Sequence, residues 1–279
     1  MPTVPPAQPE PPRTESHQIR EVAESFGAQA RRYDRARPGY PSALVDRIVA
    51  ASPGREVLDV GCGTGIVARQ FQAAGCTVLG VDPDPRMAAQ ARDRGLEVEV
   101  AKFETWETNG RSFHAVVAGQ AWHWVDPVAG AAKAASALRP GGRFAVFWNV
   151  FQPPAELGKA IGEVYRQVLP GLPAPLGDRP MLDIYETMGA RAADGMRQAG
   201  AFGEPEQWRF AWDRPYTRDE WLEQVPTFGG FSRIPADQQE QILAGIGTAI
   251  DAAGGGFTMD FTTLAVTAAR GTPRLTSPA

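Results

Sequence analysis

The residues with the clearest chemical meaning in this chain are three alternating glycines and an aspartate that follows about 20 residues later. Gly61, Gly63 and Gly65 stand in the segment Glu56-Val-Leu-Asp-Val-Gly-Cys-Gly-Thr-Gly. Before them, Val57, Leu58 and Val60 form a short apolar run with the pattern of a buried parallel strand. After them a helical stretch begins at Ile66 and is stopped by Gly75. Strand, glycine turn and helix bring backbone close to a nucleoside-type ligand at the strand's carboxyl end. Glycine is needed because a Cβ would block the approach or forbid the dihedrals. A second β-rich run, Thr77 to Val81, ends in Asp82. A carboxylate there is placed to accept hydrogen bonds from both hydroxyls of a ribose. The competing role for Asp82 is a helix N-cap, although Asp84 and Pro85 already offer a cap and a first turn for the next helix. The spacing is not the nicotinamide fingerprint G-x-G-x-x-G, because Gly65 comes one residue too early. This turn suits a ligand without phosphate.

His123 is the one histidine expected at the carboxyl end of a strand, and a near-neutral pKa would suit it to general-base work. The competing reading makes Trp122-His123-Trp124 an aromatic lid. His114, at the start of the same strand, reads as structural, and His17 belongs to the leading segment. Asp59 sits at a strand end, where a buried acid needs a partner. Arg31, Arg32, Arg35 and Arg37 cluster closely enough to receive an anionic group such as a carboxylate, or else form a solvated helix face. Trp148, Trp208, Trp212, Trp221, Phe228 and Phe231 line an apolar substrate pocket or fill the core. No metal site is expected.

These residues need a scaffold, and the pattern supplies one. Strands are expected near Val57–Val60, Thr77–Val81, Val98–Ala101, Ala115–Gly119 and Arg143–Phe147, with helices near 65–74, 85–94 and 128–138. The turn Arg139-Pro140-Gly141-Gly142 separates the last helix from its strand. Upstream, a helix from Gln18 to Tyr33 is broken by Pro38 and Pro41 before a second over Ser42 to Ala51. Residues 150 to 180 are proline-rich and match regular core packing poorly. Helices follow at 155–168, 183–199, 218–224 and 236–252, with strands near Gln207–Trp212 and Thr258–Ala268. Residues 1–16 hold six prolines and read as a disordered lead, and 272–279 as a disordered tail. Between them, 17–271 reads as one elaborated domain, its core at about 42–150 and its covering helices from 17–41 and about 150–255.

Composition narrows the partners. A net charge of −4 without a long basic run argues against nucleic acid. No stretch of 18 apolar residues is present, so no membrane span is expected. Two cysteines, Cys62 and Cys76, point to a reducing, cytoplasmic setting and not to a disulfide framework. Lysine is scarce (Lys102, Lys133 and Lys159) beside abundant arginine, alanine and proline, a composition typical of GC-rich genomes that suggests secondary metabolism.

Five segments, taken in order, resemble the class I S-adenosylmethionine-dependent methyltransferases. The similar group is the small-molecule one that includes trans-aconitate and ubiquinone-pathway enzymes. The segments are Phe26 to Asp34 with Arg37-Pro-Gly-Tyr-Pro41; Val57 to Gly65; Val81-Asp82; Ala118 to Asp126; and Leu138 to Phe144. The resemblance implies an α/β, Rossmann-like, doubly wound sheet of seven strands. That sheet is mostly parallel with an antiparallel strand at one edge, and helices cover both faces. It implies S-adenosyl-L-methionine as cofactor and S-adenosyl-L-homocysteine as product. Cofactor contacts carried over are Tyr33, Asp59, Gly61, Cys62, Gly63, Gly65, Asp82, Pro83, Met87, Phe103, Glu104, Gln120, Ala121 and Trp122. Asp59 would hold the turn or meet the amino group of the methionine part, with its carboxylate satisfied in either role. Arg37, Tyr40 and Trp148 would face the substrate, and His123 would be catalytic.

The expected activity is methyl transfer to the oxygen, nitrogen or carbon of a small molecule. Two readings compete with it. In one the cofactor is bound but the methyl stays in place during a ring closure or rearrangement, or the protein is a non-catalytic partner. The other, a nicotinamide dehydrogenase, conflicts with the glycine spacing. Oligomeric state is not legible.

Overall fold

The computed structural model describes Gly27, residues 29–170 and residues 181–271. The leading and tail segments, His17 and most of the expected Gln18–Tyr33 helix lie outside these residues. The chain begins with two short helices, α1 (Ala30–Ala36) and α2 (Ser42–Ala50). The doubly wound part follows: β1 (Glu56–Val60), α3 (Ile66–Ala73), β2 (Thr77–Asp82), α4 (Pro85–Asp93), β3 (Glu97–Val100), β4 (Phe113–Gly119), α5 (Pro127–Ala137) and β5 (Leu138–Gln152). Then come α6 (Ala155–Val168), α7 (Met181–Ala199), β6 (Glu206–Thr217), α8 (Arg218–Gln224), α9 (Ala236–Ala252) and β7 (Gly256–Ala269). The strands make one seven-stranded sheet in the order β3-β2-β1-β4-β5-β7-β6. β7 runs antiparallel to both its neighbours, and the other pairings are parallel.

Alternation along the strands sorts side chains onto two faces. Leu58, Val60, Val116, Ala118, Phe144, Val146 and Trp148 pack against α5 and α7 through Ala131, Ala134, Ala192 and Met196. Val57, Ala115, Val117, Ala145 and Phe147 pack on the opposite face against Leu44, Ile48, Val67, Ala68 and Phe71 of α2 and α3. Asp59 shares parity with Val57, so its carboxyl is directed at that second layer. The reversal of strand order between β1 and β4 opens a crevice at the strands' carboxyl ends, where such sheets bind ligands.

Two expectations need correction. The Arg139–Gly142 segment does not separate helix from strand. Leu138 already pairs with Phe113, and the register shift between Phe113 and Ala115 absorbs the glycines as an irregularity within β5. The region after 150 is also more regular than its prolines suggest. β5 continues to Gln152 because Val150–Gln152 find partners in Asp260–Thr262 of β7. Beneath this extension lies a third apolar cluster, in which Leu157, Ile161 and Tyr165 of α6 meet Ile242, Ile246 and Ile250 of α9. That cluster supports a cap over the crevice.

Candidate functional site

The glycine turn takes its shape from backbone conformations that side chains resist. Gly61 and Gly63 have φ of 64° and 54°, and a Cβ on Gly61 would come within 2.5 Å of the Ala121 Cβ. Asp82 locks the turn from the neighbouring strand. Its Oδ2 accepts the Gly63 amide at 2.8 Å and its Oδ1 the Asp84 amide at 2.9 Å. Asp84 is the N-cap of α4, accepting from the Arg86 amide, so Asp82 is free of that task. Burial lifts the Asp82 pKa from 3.8 to about 6, against the pull of the Asp84 and Gly63 amides.

A cavity of about 350 Å³ opens beside this turn, within the range of small-molecule sites. Of the expected cofactor residues it is lined by Tyr33, Gly61, Gly63, Asp82, Pro83, Met87, Phe103, Glu104, Gln120 and Ala121, and also by His123 and Arg37. A smaller cavity of about 60 Å³ shares Tyr33, Arg37 and Gln120, and adds Tyr40, Cys62 and Thr64. Gln120 ends β4 with a φ of 54°, unusual outside glycine. Its side chain donates to the Asn149 carbonyl at 3.1 Å. It is also hydrogen-bonded to Tyr185, whose pKa burial raises.

Several expected site residues are placed elsewhere. Gly65 reaches neither cavity; in the left-handed conformation, it starts α3. Trp122 turns into the core at 3% exposure with its Nε1 unpartnered, while Trp124, two residues on, lines the larger cavity. The one-turn 3₁₀ helix Trp122–Trp124 explains the exchange. Trp148 is fully buried and lines neither cavity. Its indole instead donates to His123 Nδ1 at 3.3 Å. An indole N–H can only donate, so the neutral His123 ring carries its proton on Nε2. Burial lowers the His123 pKa from 6.5 to about 4, which contradicts the expected near-neutral base. Asp59 also departs from expectation. It is 1% exposed and lines neither cavity, and neither oxygen has a partner in hydrogen-bond geometry among the described residues. Burial, then Asp82, raises its pKa well above 3.8, and the Ala68 amide offsets this only in part.

Among the four clustered arginines, Arg31, Arg32 and Arg35 are exposed, as a solvated helix face would have them, and Arg37 is half-buried. Arg37 Nε and Nη2 donate to the Thr227 hydroxyl and carbonyl at 2.9 and 2.7 Å. Its guanidinium lies 5.1 Å from the Tyr33 ring centre and 4.5 Å from that of Phe228. The rest of α1 is fastened on both flanks. Asp34 joins Arg69 at 2.7 Å and Arg94 at 3.0 Å, and Arg35 joins Glu223 of α8 at 2.8 Å. Sequence reasoning missed Thr64, Trp124, Phe151 and Tyr185 as lining residues; no local pattern marks them.

The comparisons agree with this arrangement. The family profile described as a methyltransferase domain matches residues 57–142. An uncharacterised methyltransferase of Mycobacterium tuberculosis is 37% identical over 148 residues, covering 52% of this chain and 60% of that protein. The match thus spans about three-fifths of that relative's length. A demethylmenaquinone methyltransferase of Tropheryma whipplei is 31% identical over 185 residues, covering 60% of this chain and 74% of that protein. A solved structure from Anaeromyxobacter dehalogenans, provisionally described as a type II methyltransferase, superposes with a TM-score of 0.60. It shares 22% identity, with 83% of this chain and 97% of that one covered. Glycine turn, carboxylate, strand order and relatives converge: the chain belongs to the class I S-adenosylmethionine-dependent methyltransferases.

Proposed function

We propose that this chain transfers a methyl group from S-adenosylmethionine to a small-molecule acceptor. The observation that carries the reading is Asp82, whose buried carboxylate clamps the glycine turn while lining the 350 Å³ cavity. Each oxygen has a lone pair left for a ribose hydroxyl. Met87 and Phe103 would flank the adenine, Gly61 and Gly63 would present backbone, and Tyr33 and Gln120 would meet the methionine part. The unpartnered Thr64 hydroxyl in the smaller cavity suits the polar end of that part.

When bound, the sulfonium supplies an electrophilic methyl: the acceptor's lone pair forms the new bond to carbon as the carbon–sulfur pair returns to sulfur. The protein's share is placement. The cap side chains Tyr185 and Phe228, with Tyr33 of α1 and Arg37 just after it, line the cavity and would close around the acceptor. His123, neutral at physiological pH, offers a hydrogen-bond donor and not a base, which supports an acceptor arriving with its lone pair free. The same observation favours a second reading, in which the cofactor is bound and its methyl retained. Calorimetry with S-adenosylhomocysteine tests the common ground, and Asp82→Ala should weaken that binding. Mass balance of the methyl group after turnover separates the two readings.

The acidic charge balance supports a small molecule over nucleic acid. No described helix is long and apolar enough to cross a membrane. Buried, unpaired Cys62 and Cys76 support a cytoplasmic setting, and the arginine-rich, lysine-poor composition supports a place in secondary metabolism.

A further inference from the structure

We infer that Trp148 is a positioning residue: it fixes His123 as a one-way hydrogen-bond donor toward the cleft, and the acceptor is a neutral aromatic molecule whose carbonyl oxygen takes that bond. This rests on the methyl-transfer reading and names the substrate class of the same cleft.

Trp148 is fully buried on β5, and its indole N–H, which can only donate, is directed at His123 Nδ1 at 3.3 Å. Trp122 and Trp221 keep buried indole N–H groups without a partner among the described residues. A buried indole in this chain therefore does not by itself require a histidine to receive it. The bond takes up the only acceptor nitrogen of the neutral His123 ring. Its proton then sits on Nε2, on the side of the ring away from Trp148, and there it bonds no described residue. Trp148 belongs to the core, whereas half-buried His123 lines the larger cavity. The ring edge turned away from Trp148 is thus the one that meets ligand. A donor without a protein partner in a partly closed cleft is completed by a lone pair on the ligand.

The sheet separates His123 from the ribose end. Asp82 ends β2, and Trp148 stands on β5, three strand positions away, which is about 14 Å at the usual spacing. Gln120 reaches the same strand, since its side chain bonds the carbonyl of Asn149, next to Trp148. The walls here include Trp124, Phe151, Tyr185 and Phe228. The His123 and Trp124 rings lie 4.7 Å apart, and those of Phe151 and Phe228 lie 5.5 Å apart. Such faces suit a flat apolar body. The charges lie elsewhere. Asp82, Asp84, Lys102 and Glu104 line the cavity from the ends of β2 and β3. Arg37, the cation lining the smaller cavity, stands where the polar end of the cofactor's methionine part is proposed to lie. An ionised acceptor would arrive without a counter-charge, whereas a carbonyl matches the single donor.

The test uses the full chain labelled isotopically at its histidine nitrogens, with the His123 resonances identified by their loss in His123→Phe. At neutral pH native His123 should show a bare Nδ1 and a protonated Nε2, and Trp148→Phe should convert this to a mixture of tautomers. A native ring protonated on Nδ1 overturns the inference, whether or not the variant folds. So does a folded Trp148→Phe that leaves the tautomer unchanged. The native chain, saturated with S-adenosylhomocysteine, is then titrated calorimetrically with acetophenone beside ethylbenzene and with indanone beside indane. At least one ketone should bind about five-fold or more tightly than its hydrocarbon and should move the Nε2 resonance. His123→Phe should erase that preference while keeping the hydrocarbon. Ketones that bind no better than hydrocarbons, or that leave Nε2 unmoved, overturn the inference, as does benzoate binding more tightly than acetophenone. Absence of any S-adenosylhomocysteine heat with the native chain defeats the methyl-transfer reading itself, an outcome on which the tautomer measurement does not depend.

Discussion

Replacing Asp82 by asparagine separates ligand recognition from folding. The carboxylate accepts two backbone amides, from Gly63 and Asp84. Asparagine keeps one acceptor oxygen and turns an NH₂ toward the other amide, so about one charge-assisted bond of 1.5–3 kcal/mol is lost. Against this, burial has raised the pKa from 3.8 to about 6, and a shift of that size favours a neutral group by about 3 kcal/mol. The two effects nearly cancel, so Tm near neutral pH should move by only a few degrees. Recognition has no such compensation. Losing the charged acceptor for ribose hydroxyls should weaken S-adenosylhomocysteine by about ten- to a hundred-fold.

The pH dependence gives the sharper criterion. Because the folded pKa is raised, the native state holds a proton that the unfolded chain has released between 3.8 and about 6. This group's contribution to stability therefore falls as pH rises through that window and is level above it. Cofactor affinity runs the other way, rising as Asp82 ionises through about pH 6. Calorimetry from about pH 5 to about pH 7.5 should show that rise in the native protein and its absence in Asp82→Asn. A native affinity flat across this range, or a variant within about three-fold of native at neutral pH, refutes the reasoning.

Other consequences are simpler to check. Asp59→Asn removes a buried carboxylate that the Ala68 amide offsets only in part and should leave Tm unchanged or raise it, measured by calorimetric melting at neutral pH. Gly61→Ala combines a φ of 64° with a contact of 2.5 Å to Ala121; it should cost about 2–4 kcal/mol and abolish cofactor binding by titration. His123, with its pKa lowered to about 4, should add stability that is lost as pH falls from 6.5 toward 4. His123→Gln should accordingly flatten the acid side of a melting profile without removing a neutral-pH limb from the rate profile. Thr217→Ala breaks the capping box of α8 and should cost about 1 kcal/mol in denaturant titrations.

What the sequence revealed follows from the range of the forces involved. The glycine turn, Asp82 and the Asp84 cap are legible because each role is settled within a few residues by backbone dihedrals and local amides. Trp148 illustrates the opposite case. Read as the end of a short strand, it seemed to face substrate. β5 in fact continues to Gln152, and the parity of Phe144, Val146 and Trp148 sends its indole into the core. His123 has the right position but the wrong acidity, since burial by distant elements sets its pKa. Tyr185 and the Thr227–Phe228 segment come to the cleft only through the packing of α7 and the cap, and no spacing along the chain records that meeting.

The latching of α1 also bears on kinetics. This seven-residue helix and the Arg37 that caps it are pinned to Arg69 and Arg94 on one flank and to Glu223 and Thr227 on the other, and Tyr33 and Arg37 line both cavities. If spent thioether departs only once that buckle is undone, turnover should run at the pace of release and not of bond making. Added salt, by loosening the solvent-exposed clasps, should then quicken turnover while shortening the residence of product.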